Sequence, residues 1–154
     1  METCPCGSGT EYGACCAPYI QGDQQPQTAE ALMRARYSAH VKSQVDYIYD
    51  TTHPDHKKNC DPKSVAAWCR KAQWQALEVL AVTDGGPEDQ TGTVEFVARY
   101  REKERPYRHH EIAEFLRHEG RWYFKDGQPP APVSVIHSET LAFPSGIPGD
   151  AALP

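Results

Sequence analysis

Cys4-Pro5-Cys6-Gly7-Ser8-Gly9, followed by Tyr12 and the pair Cys15-Cys16, places four of the chain's six cysteines within thirteen residues. No other stretch restricts the fold as tightly. Two thiolates one residue apart approach an ion from one side, and Gly7 to Ala14 is enough chain to return the other pair. A tetrahedral zinc ion takes four such donors at about 2.3 Å. Gly7, Gly9 and Gly13 suit a chain that folds back on itself, because positive φ is costly for a residue with a Cβ. The spacing therefore predicts one structural zinc held by Cys4, Cys6, Cys15 and Cys16. Backbone N–H groups turned toward the sulfurs would offset the charge of four thiolates on one dication.

Disulfides are the competing reading. Joining the neighbours Cys15 and Cys16 would close a strained ring. Pairing them with Cys4 and Cys6 is geometrically open but needs an oxidising compartment. Met1-Glu2-Thr3 runs straight into Cys and Pro, without a basic region or apolar run. No secretory leader is expected, and a reducing, cytoplasmic setting is.

The same residues resemble the SEC-C motif, the small zinc-binding module at the C-terminal end of the SecA translocation ATPase and on many other bacterial proteins. Further on, Leu32-Met33-Arg34-Ala35-Arg36-Tyr37, Thr52-His53-Pro54, Val94-Glu95-Phe96-Val97-Ala98, Glu111 through Phe115 and Gly120-Arg121-Trp122-Tyr123-Phe124-Lys125-Asp126-Gly127 follow one another in order. Together they are similar to the YchJ-like family of bacterial proteins, over about Thr3 to Gly127. The resemblance implies zinc at the N-terminal knuckle and a cone-shaped, cystatin-like α+β fold of the nuclear-transport-factor-like superfamily. In SecA the similar module recruits a chaperone, which by analogy implies a protein partner. Two departures stand out: no cysteine follows Cys69, where some relatives carry a second motif, and position 113 is Ala where relatives often have Ser.

The 154 residues suit one domain with small appendages. No apolar run approaches the ~20 residues of a membrane span, so no membrane association is expected. A net charge of −5 argues against a broad nucleic-acid footprint, which needs clustered positive charge. The run Arg99, Arg101, Lys103, Arg105 and Arg108 is broken by Glu102 and Glu104 and reads as a solvated hairpin.

Three segments are expected: a zinc module over 1–22, an α+β cone over 23–127, and a proline-rich tail over 128–154 that is poorly ordered or wraps the surface. Pro18 to Gln27 reads as a polar linker. Thr28 is an N-cap, and Leu32, Met33, Arg36, Tyr37, His40 and Val41 recur at helical spacing to about Val41 or Lys42. Val45, Ile48 and Tyr49 predict a second, short helix that ends before Pro54. Asp61 and Pro62 open a third on Val65, Trp68, Cys69 and Ala72. The period then changes to two. Residues 75–83 read as a strand covered on both faces, 92–103 and 107–117 as alternating strands, and 121–125 as a fourth. Helices first and a meander after predict α+β with the helices on one face of the sheet.

Chemistry beyond the cysteines is sparse. Tyr107, His109, Glu111, Ala113 and Phe115 share one face of the third strand. An inward Glu111 is read as structural, paired with Arg36 or a tyrosine hydroxyl, over catalytic. Arg36 otherwise reads as a solvated arginine whose stem covers apolar surface. His53, Asp55 and His56 read as turn chemistry, Cys69 as a buried hydrophobe and Cys60 as a loop thiol. No phosphate-cradling loop, nucleophile elbow or dinucleotide fingerprint is present. The favoured function is a zinc-binding interaction or adaptor protein whose knuckle docks a protein partner. The alternative is a small-ligand-binding protein or enzyme that uses a pocket lined by Arg36, Tyr37, Trp68, His109 and Glu111.

Overall fold

The computed structural model describes residues 2–130. Much of the predicted tail therefore lies outside the described residues. A cysteine-rich turn (residues 2–16) leads into a four-residue helix α1 (Ala17–Ile20), so part of the expected linker is helical. The main helix α2 (Ala29–Val41) is capped by Thr28, whose Oγ1 accepts from the Ala31 N–H at 3.0 Å. α3 (Val45–Asp50), a 3₁₀ turn (Pro54–Asn59) and α4 (Pro62–Lys71) follow, the last with Asp61 as its cap.

The chain then lays down β1 (Gln73–Asp84), β2 (Thr91–Glu102), β3 (Arg105–His118) and β4 (Arg121–Gln128) as one antiparallel meander in sequence order. Two-residue turns join the later strands, with positive φ at Lys103 and Glu104 and at Glu119 and Gly120. The architecture is α+β, with the helices against one face of the sheet. Val94, Phe96, Ala98, Tyr100, Ala113, Phe115, Trp122 and Phe124 form the sheet's share of the core. Leu32, Met33, Ala35 and Tyr37 of α2 pack onto them. Fully burying one such side chain contributes roughly 1.5–3 kcal/mol.

α2 departs from a simple amphipathic helix. Ala29, Leu32, Met33, Ala35, Arg36, Tyr37, Ser38, Ala39 and His40 are all buried, leaving little of it in water. The sheet covers one side, α3 another, and the cysteine turn a third: Cys4, Cys6 and Cys16 belong to the same core cluster as Leu32 and Tyr37. A helix enclosed this way must satisfy its polar side chains internally.

The expectation that both faces of β1 are covered does not hold. Leu80 and Val82 are 44% and 45% exposed. β1 is an outer strand, and irregular pairing between Trp74 and Ala76 and between Val79 and Ala81 turns side chains away from the core.

Candidate metal centre

The turn is built from short-range bonds. The Cys4 N–H donates to the Thr10 carbonyl at 2.8 Å, the Gly7 N–H to the Cys4 carbonyl at 3.2 Å, and the Tyr12 N–H to the Glu2 carbonyl at 2.9 Å. Thr3 and Glu11 form an antiparallel bridge, so the first cysteine pair sits at the tip of a small ribbon. A 3₁₀ turn (Tyr12–Ala14) brings the chain back, and Cys16 leads directly into α1, its carbonyl accepting from Ile20 at 3.1 Å. Gly7 has φ of +82°, and a Cβ there would meet the Leu77 carbonyl oxygen at 3.3 Å. Glycine is required for the turn, and its missing Cβ also eases the contact with β1.

These bonds gather the four Sγ atoms of Cys4, Cys6, Cys15 and Cys16 within 4.8 Å of one another. Cys6 and Cys15 stand 3.7 Å apart, and Cys15 and Cys16 3.9 Å. Four thiolates at about 2.3 Å around a tetrahedral ion require sulfur separations of about 3.8 Å. The donor set fits a metal ion in number, chemistry and spacing. Cys4, Cys6 and Cys16 are buried and Cys15 is partly exposed. All four are free thiols rather than disulfides.

The electrostatics favour one thiolate at the start. A hydrogen bond from the Cys16 thiol, with help from Ser8, draws Cys6 down to about 4, although burial opposes it. The same bond pushes Cys16 strongly up, and burial raises Cys15. A dication bound here would displace the remaining protons, so affinity should rise with pH.

Two residues that the sequence reading left out support the cluster from α2. Ser38, fully buried, has its Oγ 3.4 Å from the Cys4 Sγ. Arg34 donates from Nη1 to the Cys6 carbonyl at 2.7 Å while its Nε binds Glu30 at 2.9 Å. The signal was present: positions 34 and 38 are one helical turn apart and face the same side. What was missing was that this side meets the knuckle rather than water.

The five cone residues fall in two adjoining groups, joined where Glu111 meets His109. Arg36, Tyr37 and Glu111 line a gap of about 10 Å³ among Phe96, Phe115 and Phe124, room for one water molecule. Trp68 and His109 lie instead in an aromatic cluster, with ring centroids 6.0 Å apart and Trp74 and Tyr100 beside Trp68. One expectation is corrected here. Arg36 is not solvated but 4% exposed. Its guanidinium donates to the Ile48 carbonyl at 2.9 Å and the Thr51 hydroxyl at 2.7 Å, and lies 4.5 Å from the centre of the Phe124 ring. Glu111 faces inward, as expected, and its carboxylate meets the His109 Nε2 at 2.6 Å, a partner two residues along the same strand face.

His53 is turn chemistry, as expected: its Nδ1 accepts from the Asp55 N–H at 3.1 Å. Among the described residues the four cysteines are the one cluster of three or more metal-ligating side chains found within bonding reach of a single ion.

Comparison with known proteins agrees with this geometry. The family described as "YchJ, middle NTF2-like domain" matches residues 28–127, and the SEC-C motif matches residues 2–18. A UPF0225 protein of Geobacter sulfurreducens is 48% identical over 124 residues, covering 80% of this chain and 77% of that relative. One from Serratia proteamaculans is 41% identical over 133 residues, covering 85% and 86%. The solution structure of a SEC-C motif containing protein from Rhodopseudomonas palustris superposes with a TM-score of 0.78 at 36% identity, covering 84% of this chain and all of that one. A crystal structure of a SEC-C motif containing protein from Psychrobacter arcticus gives 0.72 at 32% identity, covering 88% and 86%. A SEC-C cysteine turn packed on an NTF2-like domain, matched over most of its length, makes this chain a member of the YchJ-like (UPF0225) family.

Proposed function

We propose that this protein is a zinc-binding interaction protein of the reducing cytoplasm, in which the cysteine knuckle docks a protein partner and the α+β domain carries it. The observation that supports zinc is the sulfur spacing of 3.7 and 3.9 Å, which suits a small tetrahedral ion with thiolate ligands. Four protein ligands leave no open coordination position, so the metal stabilises rather than catalyses. The ribbon tip at Gly7, Ser8, Gly9 and Thr10 stands exposed above the buried sulfurs, and a metal would hold it in one shape. A rigid, protruding turn costs little ordering entropy on binding. The ligand-binding alternative has less behind it, because the gap beneath α2 takes about one water.

Elemental analysis of the purified chain should find one zinc, and cobalt substitution should give the spectrum of a tetrahedral thiolate site. For docking, Thr10→Arg changes the exposed tip without touching a ligand. Cross-linking in cell extract should capture a partner with the native chain, and lose it with Thr10→Arg and after chelation. A partner retained by both would refute the docking role while leaving the metal in place.

A further inference from the structure

The gap beneath α2 is walled mostly by carbon, yet a charged residue lines each side of it. Met33 and Arg36 face it from the helix, and Glu111, Ala113 and Phe124 from the sheet. Arg36 is buried, and its Nη1 is committed to the Ile48 carbonyl and the Thr51 hydroxyl. Its Nη2, equally buried, has no hydrogen-bond partner among the described residues. A guanidinium N–H enclosed by apolar groups loses its hydration with nothing in return, and native proteins answer such groups with protein atoms or ordered water. Across the gap the Glu111 carboxylate holds His109 at 2.6 Å, and a carboxylate accepts several hydrogen bonds at once. Arg36 senses both surroundings: burial pulls it down to about 10, and the Glu111 charge acts in the opposite sense.

The dimensions and the chemistry select the occupant. At about 10 Å³ the gap admits one water-sized molecule. That molecule must accept from Arg36 and donate toward Glu111. An anion would meet the first and be repelled by the second, and a cation the reverse. Water does both. We infer that one ordered water occupies this gap, accepting from the Arg36 Nη2 and donating to the Glu111 carboxylate. It completes a polar chain from the α3 carbonyl of Ile48 through Arg36 to Glu111 and His109 of β3, so that helix and sheet are joined by hydrogen bonds as well as by apolar contact. The site belongs to the fold, and the inference stands apart from the docking reading.

The test uses the full metal-loaded chain with its alanine and methionine methyl groups labelled with ¹³C. Cross-peaks from water to the Ala113 and Met33 methyls should have opposite signs in the laboratory and rotating frames, the mark of a water held far longer than surface hydration. A high-resolution crystal structure should show one peak at about 2.7–3.2 Å from both the Arg36 Nη2 and a Glu111 oxygen. Ala113→Val puts its branched side chain into the gap and should abolish the Met33 cross-peak. A gap without density and without water cross-peaks, or another side chain of the protein seated in it, would overturn the inference. So would a bromide peak there in crystals soaked with that halide, which would make it an anion site. A Met33 cross-peak that survives in folded Ala113→Val would place the water elsewhere and overturn it equally. Should that variant fail to fold, the native spectrum and crystal decide alone.

Discussion

Ser38 and His40 show how much of this protein's behaviour hangs on polar side chains enclosed around α2. Ser38 touches Cys4 of the candidate metal centre, so Ser38→Ala should leave the fold intact and weaken metal affinity by about 10–100-fold, read by competition with a chelator dye. His40 is fully buried, and its Nδ1–H donates to the Arg36 carbonyl at 2.8 Å. Burial drives it down to about 3, so the folded protein refuses a proton that the unfolded chain accepts. Its contribution to stability is therefore intact above about pH 6.5 and is lost as pH falls from there toward 3, by up to about 1.4 kcal/mol per unit. Denaturant melts at pH 7 and 5.5 should show this loss, and His40→Asn should reduce it. His53, also lowered by burial, adds loss of the same sign that the comparison cancels. At this scale the cysteine cluster was legible, because the spacing alone brings the four thiols together. The partners of Arg36 and Glu111 were not, because parity along a strand says which way a side chain points and nothing about which acceptor lies nearest.

Among the elements, capping residues and apolar spacing located all three predicted helices, since Thr28, Asp61 and Pro62 act on their own backbone neighbours. The strands were found through alternation, but the exposure of β1 was not, because edge position is a property of the sheet rather than of the strand. Contact between strands also explains Gly127. It lies opposite Ala113, and a Cβ there would fall on the Glu111 carboxylate. Glu111 is 3% exposed and bonded to His109, so it cannot swing aside. Gly127→Ala should therefore cost about 1–3 kcal/mol, the usual range for overpacking. Adding Glu111→Ala should recover part of that loss, a non-additivity that a double-mutant cycle in denaturant measures. Independent costs that simply sum would show that the two positions do not interact.

For the molecule as a whole, the decisive fact is that the cysteine turn and the α+β domain share one core. The α+β class followed from element order, and a boundary near residue 22 from composition. Composition could not register that Cys4, Cys6 and Cys16 would bury themselves against Leu32 and Tyr37. Removing the metal should lower the melting temperature by about 5–10 °C in calorimetry, worth a few kcal/mol for a chain this long, while the transition stays cooperative. The contact of Gly7 with the Leu77 carbonyl carries this further. β4 has its outer edge bonded by the segment at Thr51 and His53, whereas β1 ends the sheet with Leu80 and Val82 in water. The knuckle meets that strand at Leu77, so an ion bound by the four cysteines would hold it there, beside an open sheet edge. Stripped of metal, the protein should turn cloudy before it melts: light scattering should climb well below the unfolding temperature, and Leu80→Lys should hold it down.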